Sequence, residues 1–264
     1  MNTSRVEKTL LGLWCALVVA FVTLPLFAVL AVSLTPRDFI SLPVDEISLR
    51  WYRQIATRSE FLRAAGNSLM LAFAASASAL VLGTLAAIGA VRFRSSVSEA
   101  IRLAITSPLF IPMILTGLAI LVFTAAQGLS SQGGRLFIAH LTLTLPYVFR
   151  TVIASLTAFD MNQEYAARNL GATPLQAFFE ITLPQIRPGL VAGAVFAFIV
   201  SFDDVSLSIF LTGNKFNTLP VELFNYTMND SDPMAAAIAV LMMGASIAAI
   251  LIIQRVLGLK NLLR

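Results

Sequence analysis

"EYAARNLGATPLQAFFEITLPQIRPGL", residues 164–190, is an organised polar stretch inside a strongly apolar chain. It holds Glu164, Arg168, Glu180 and Arg187, together with Gly171 and three prolines. Read physically, residues 160–188 spell two short helices joined by a turn. Asp160 is placed to cap the first, with Gln163 three residues on in the spacing of a capping box. Gly171 falls where a left-handed residue ends such a helix. Thr173 caps the second, Pro174 takes its first position and Gln176 completes a second box. Pro184 is then expected to interrupt, and Pro188 to start the next long helix. Helices this short are not stable alone in water. Tyr165, Ala166, Leu170, Leu175, Phe178, Phe179 and Ile181 therefore need a surface, either the protein's own helix ends or a protein partner that receives aromatic knobs.

Outside this stretch the composition points to a bilayer. Only 12% of the 264 residues are charged and 58% are hydrophobic, with a mean hydropathy of +0.84, whereas a soluble domain carries roughly 25% charged residues. No charge occurs in 9–36, 64–91, 103–134 or 233–254, each longer than the ~20 residues a helix needs to cross the hydrocarbon layer. Two further spans containing charge fit at 135–158 and 188–212. The expectation is one all-α integral membrane domain over 1–264 with six transmembrane helices at about 10–34, 64–91, 103–126, 135–158, 188–212 and 234–255. The apolar run of the first is too long for a signal-peptide core and no A-x-A site follows it, so it is read as retained.

Basic residues give the orientation. With both termini inside, the inner segments hold eleven cations: Arg5, Lys8, Arg92, Arg94, Arg102, Arg150, Arg168, Arg187, Arg255, Lys260 and Arg264. The outer segments hold seven, five of them in the loop 37–63. The polar segment 160–187 thus faces the cytosol. These flanking cations account for the pI of 9.6, and no basic cluster suggests nucleic acid. Within the outer loop, Trp51 and Tyr52 are expected to anchor an amphipathic piece at the headgroup level. Contact with an external binding protein is open to this loop and to 214–232.

Enzymatic chemistry finds little support. Cys15 and His140 are the only residues of their kinds, so neither a disulfide framework nor a metal site is expected, and no catalytic set can be assembled. His140 is read as a hydrogen-bonded helix residue. There is no G-x-x-x-x-G-K-[ST] phosphate loop; Gly213-Asn214-Lys215 lacks the spacing.

Asp203 and Asp204 are the charges that matter inside the apolar sequence. Each costs about 2.5–3.5 kcal/mol at mid-membrane, and the thirteen large apolar residues of 190–211 return about 0.3–0.6 kcal/mol apiece. The sum is near zero, so these acids should avoid lipid. Either one caps a helix break or pairs with a cation, or at least one lines a pathway and gives a passing cation a weak partner. Adjacent helix positions differ by ~100°, so the sequence does not say which points inward. Arg150 is expected to snorkel to the headgroups, and Pro108, Pro112 and Pro146 suggest kinks.

The 164–184 stretch resembles the signature of bacterial ABC importer permeases: E-A-A, three residues, G, nine residues, I-x-L-P. Ala166, Ala167, Gly171, Ile181, Leu183 and Pro184 fall at its positions; Tyr165 stands where the signature has its glutamate, with Glu164 one residue earlier. The resemblance extends through "SLRWYRQI" (48–55), "NSLMLAFAAS" (67–76) and "SPLFIPMILTGLAIL" (107–121). "SFDDVSLSIFLTG" (201–213), followed by "TLPVELF", is similar to the subfamily serving spermidine and putrescine; relatives for iron, phosphonates or opines share parts of it. The family implies a type I importer fold in the bacterial inner membrane. A second permease subunit, a different homologous chain, completes the pathway. Two ATP-binding subunits using ATP and Mg drive it, and a periplasmic solute-binding protein delivers the solute. The permease itself binds no cofactor and is not an enzyme.

On that resemblance the polar segment is a coupling helix seated in the ATPase. Glu164, Tyr165, Ala166, Ala167, Gly171, Ala172, Leu175 and Phe178 would form its contact, and Asp203 and Asp204 would line the translocation pathway. The competing reading is a self-sufficient secondary transporter or channel, which would show inverted repeats with interrupted helices. No convincing repeat relates the two halves, and such a protein has no need of two capped helices ending in I-x-L-P.

Overall fold

A computed structural model describes residues 5–93, 95–213 and 215–256. Arg94, Asn214, Lys260 and Arg264, all named above, lie outside the described residues, and Arg5 is described by its backbone alone. The described residues form helices and no strand: α1 (Arg5–Ser33), α2 (Arg50–Thr57), α3 (Ser59–Arg92), α4 (Ser96–Thr106), α5 (Met113–Ala126), α6 (Gln132–Ala158), α7 (Asn162–Asn169), α8 (Pro174–Ala177), α9 (Leu183–Phe202), α10 (Leu219–Asn229) and α11 (Met234–Val256). Five helical bodies are long and apolar enough to cross a membrane, and the pair α4–α5 makes a sixth if its two parts are one span.

The chain forms two compact units. The first comprises residues 1–62 and 223–244. Here α1 is apolar all round and leaves nearly all its large side chains exposed, the pattern of a helix covered by lipid or by another subunit. Trp51 on α2 differs from expectation. It is 2% exposed, and its indole N–H donates to the Thr35 carbonyl at 2.8 Å. The hydroxyls of Tyr52 and Ser33 pair at 2.7 Å. A carbonyl left free just past the end of α1 offers the indole a partner, so Trp51 pins the chain instead of floating at the headgroups.

The second unit comprises 63–222 and 245–264, and its spine is the pair α6–α9. Gly189 and Gly193 lie one turn apart on α9. A Cβ on Gly189 would stand 2.7 Å from the Thr151 carbonyl oxygen, and one on Gly193 would stand 3.0 Å from the Val148 Cα. Small residues let the two backbones approach this closely. Around the crossing, Val148, Phe149, Val152 and Leu156 of α6 pack with Ala79, Ala87 and Ala90 of α3 and with Ile186 and Ala197 of α9. A second cluster joins Leu71, Leu136, Ala139, Leu143, Leu207 and Leu211.

Two span boundaries differ from the sequence reading. The third expected span, 103–126, is broken: α4 continues as a tight 3₁₀ turn (Ser107–Phe110) and meets α5 at 114°. Pro108 and Pro112 both lack an N–H, and Ile111 before Pro112 is extended, as a residue preceding proline prefers. The result is a sharp corner and not a kink. The fifth expected span, 188–212, starts earlier and ends earlier. Residues 174–202 form one helical body in which a single π-helical turn, Phe178–Thr182, joins α8 to α9. That turn, with the Leu183 N–H bonding back to the Phe178 carbonyl, carries the chain past Pro184. Pro188 sits inside α9 and starts nothing. Pro146 is likewise accommodated within α6.

Candidate functional site

The residues singled out by sequence gather at the two ends of α9. At its start lies the polar segment. After α6, an Asp160 carboxylate oxygen accepts the Asn162 N–H at 3.0 Å. The first capping box does not close: the Gln163 amide is taken by Gln185. The rest of the local reading is met. Gly171 has φ +100°, its N–H bonds the Arg168 carbonyl at 3.0 Å, and the Ala172 N–H bonds the Ala167 carbonyl at 3.1 Å. This double closure is a Schellman motif, open to glycine because L side chains clash at positive φ. Thr173 and Gln176 exchange the two bonds of a capping box, at 3.3 and 2.9 Å, with Pro174 next in line.

Burial then divides the expected contact residues. Tyr165, Ala166, Gly171 and Leu175 are exposed, and Ala167 and Ala172 are partly so. Leu170, between the two helices, is 90% exposed. Glu164 is turned the other way. It is 1% exposed, and its Oε2 meets Arg92 Nη2 from the end of α3 at 2.6 Å. The Thr182 hydroxyl donates to the same oxygen at 2.5 Å. The Arg92 guanidinium also lies over the Phe178 ring, 5.8 Å from its centroid, within cation–π range. The buried Glu164 and the half-buried Phe178 therefore meet in an internal clamp on Arg92. Breaking a buried pair by removing one partner costs about 3–5 kcal/mol, so this clamp fixes the segment to the spanning helices. Sequence reading counted Arg92 only as a flanking cation.

At the other end, α9 stops at Phe202 and the next two residues diverge. Asp203 is exposed and Asp204 is 7% exposed. The Asp204 carboxylate accepts the Leu207 N–H (3.3 Å), the Ser208 N–H (2.9 Å) and the Ser208 hydroxyl (2.8 Å). It caps a short 3₁₀ turn, Ser208–Phe210, where the apolar sequence suggested continuous helix. The network continues into α6: His140 Nε2 lies 2.8 Å from the Ser208 hydroxyl, and Nδ1 lies 2.7 Å from that of Ser201. With its proton given to Asp204, Ser208 accepts from Nε2–H and Ser201 donates to Nδ1, so the neutral Nε2–H tautomer satisfies every bond. His140 is thus the hydrogen-bonded helix residue expected of it. The order is wrong for a hydrolytic triad, since Asp204 holds a serine and not the histidine, and both serines are buried.

The sequence profile described as "binding-protein-dependent transport system inner membrane component" matches residues 79–260. The putrescine transport system permease protein PotI of Escherichia coli (strain K12) is 37% identical over 205 residues, covering 75% of this chain and 73% of that protein. The spermidine/putrescine transport system permease protein PotC of Haemophilus influenzae is 29% identical over 244 residues, covering 92% and 95%. Among solved structures, a chain of a bacterial ABC transporter involved in the import of the acidic polysaccharide alginate superimposes with a TM-score of 0.66 at 13% identity, covering 96% and 98%. A chain of the bacterial alginate ABC transporter in complex with alginate pentasaccharide-bound periplasmic protein gives 0.68 at 13% identity, covering 95% and 94%.

Proposed function

The chain belongs to the binding-protein-dependent transport system inner membrane components, the permeases of ABC importers, and on that premise we propose that it forms half of a translocation pathway for a polyamine-like organic cation. A second homologous permease chain forms the other half. Two ATP-binding subunits, using ATP and Mg, drive inward movement, and a periplasmic binding protein delivers the solute. Both termini and the 160–187 segment face the cytosol. The observation that carries this reading is the exposed turn at Tyr165, Leu170 and Leu175, held rigid by its Schellman motif and capping box and tied to α3 by Arg92. A surface that is apolar, exposed and internally braced suits insertion into a groove of the ATPase. The polyamine assignment is supported by the named relatives and by Asp203, the exposed one of the two acids.

The test is retention of the ATP-binding subunits by the tagged chain after co-expression, comparing the natural sequence with Leu170→Arg and Leu175→Arg. Both side chains point away from the chain, so neither substitution disturbs its packing, whereas Gly171→Arg would also strain the turn at φ +100°. Loss of the ATPase in the variants and retention by the natural chain is the expected result. Equal retention by all three would overturn the docking reading. Uptake of labelled putrescine and spermidine by cells carrying the natural chain tests the solute.

A further inference from the structure

A cleft of about 260 Å³ lies between α4 and α6, lined by Arg102, Thr106, Phe149, Arg150, Ile153 and Ala154. Arg102 and Arg150 both line it and no carboxylate does. Arg102 spends one N–H on the Ala90 carbonyl, 3.2 Å away. Arg150 has no hydrogen-bond or ion-pair partner among the described residues. Two like charges lining one cleft are unfavourable unless something negative joins them.

The level of the cleft says what that is. Ala90 stands in the last turn of α3, which ends at Arg92, so the Arg102 head lies at the boundary where a long apolar helix leaves the hydrocarbon. The rest of the lining is apolar except for Thr106, whose hydroxyl donates to the Arg102 carbonyl at 2.7 Å. Beside it α4 exposes Val97, Ile101 and Leu103, a surface suited to acyl chains. Two arginines are also the wrong sign for the cationic solute proposed above, which sets the cleft apart from the pathway. Guanidinium forks match phosphate oxygens in pairs, and basic pockets among spanning helices hold anionic headgroups. We infer that this cleft is a binding site for the phosphate of an anionic glycerophospholipid, held jointly by Arg102 and Arg150. The inference rests on embedding in a bilayer and not on the identity of the solute.

The test titrates short-chain phosphatidylglycerol, phosphatidylcholine and inorganic phosphate separately into the assembled, detergent-solubilised transporter, reading the rise in thermal unfolding midpoint as binding. Phosphatidylglycerol should stabilise the natural assembly saturably and phosphatidylcholine should not. Arg150→Gln should weaken the apparent affinity roughly tenfold, as loss of a charge-assisted contact implies. Arg150→Lys should fall between, and Arg187→Gln, an exposed cation outside the cleft, should match the natural chain. Arg102→Gln/Arg150→Gln should abolish the response; should that double variant fail to assemble, Arg150→Gln carries the test, because that side chain has no partner to lose. An equal, Arg150-dependent response to inorganic phosphate would assign the site to free phosphate and leave the phosphate chemistry standing. An unchanged phosphatidylglycerol response in Arg150→Gln, or an equal loss in Arg187→Gln, would overturn it.

Discussion

Glu164, on α7 and bonded to Thr182 just before α9, and Asp204, just past the end of α9, are two buried carboxylates satisfied by opposite means. Glu164 depends on a cation 72 residues away in sequence, so its segment is fastened to another helix. Asp204 is held mainly by the N–H groups and hydroxyl of the four residues after it, so it closes on itself and only then, through Ser208, reaches His140. One end of α9 is a joint between elements and the other is a self-contained cap. A joint can transmit a displacement from the exposed turn into α3, whereas a cap holds a break in place.

The contrast can be broken by substitution. Arg92→Met leaves Glu164 buried without its cation and should cost about 3–5 kcal/mol, read as a large fall in the unfolding midpoint of the assembled transporter. Arg92→Met/Glu164→Met should recover most of it; a double variant no better than the single one would mean that the ion pair is not the joint. Asp204→Ala leaves two N–H groups and the Ser208 O–H without their acceptor and should cost roughly 2–3 kcal/mol. Here no second substitution on a distant helix should rescue, and rescue would erase the distinction between cap and joint. Thr182→Val removes one charge-assisted bond to Glu164 and should cost about 1.5 kcal/mol, with ATP hydrolysis per solute transported the sharper readout. Asp203→Asn should leave the unfolding midpoint unchanged while reducing uptake of a divalent organic cation more than of a monovalent one. Equal uptake of both would remove Asp203 from the pathway.

The same division explains what could be read from sequence. Thr173, Gln176 and Gly171 act within three or four residues, so their cap and turn are written in adjacent letters. Long uncharged runs likewise announced the spans. Arg92 and Glu164 carry no local sign of each other, and the pairing depends on how α3 meets the segment. The end of α9 was hidden because apolar residues continue on both sides of Asp203, and hydropathy reads straight through a break that Asp204 caps by recruiting its own following N–H groups. Pro108 and Pro112 signalled a disturbance, but its angle depends on what the two pieces pack against. Trp51 was misread for a related reason: its partner, the Thr35 carbonyl, is supplied by chain folding and not by composition.

Because the π-helical turn keeps residues 174–202 in one piece, that piece has a fulcrum. It meets the α6 backbone closely at Gly189 and Gly193, about 26 Å from Pro174 and about 18 Å from Asp203 at 1.5 Å per residue. Pivoting there, a push of about 3 Å at Thr173 swings Asp203 about 2 Å the opposite way. A seesaw of this ratio trades travel for force: the arm that ends at Asp203 moves less, and pushes harder, than the arm that ends at Pro174.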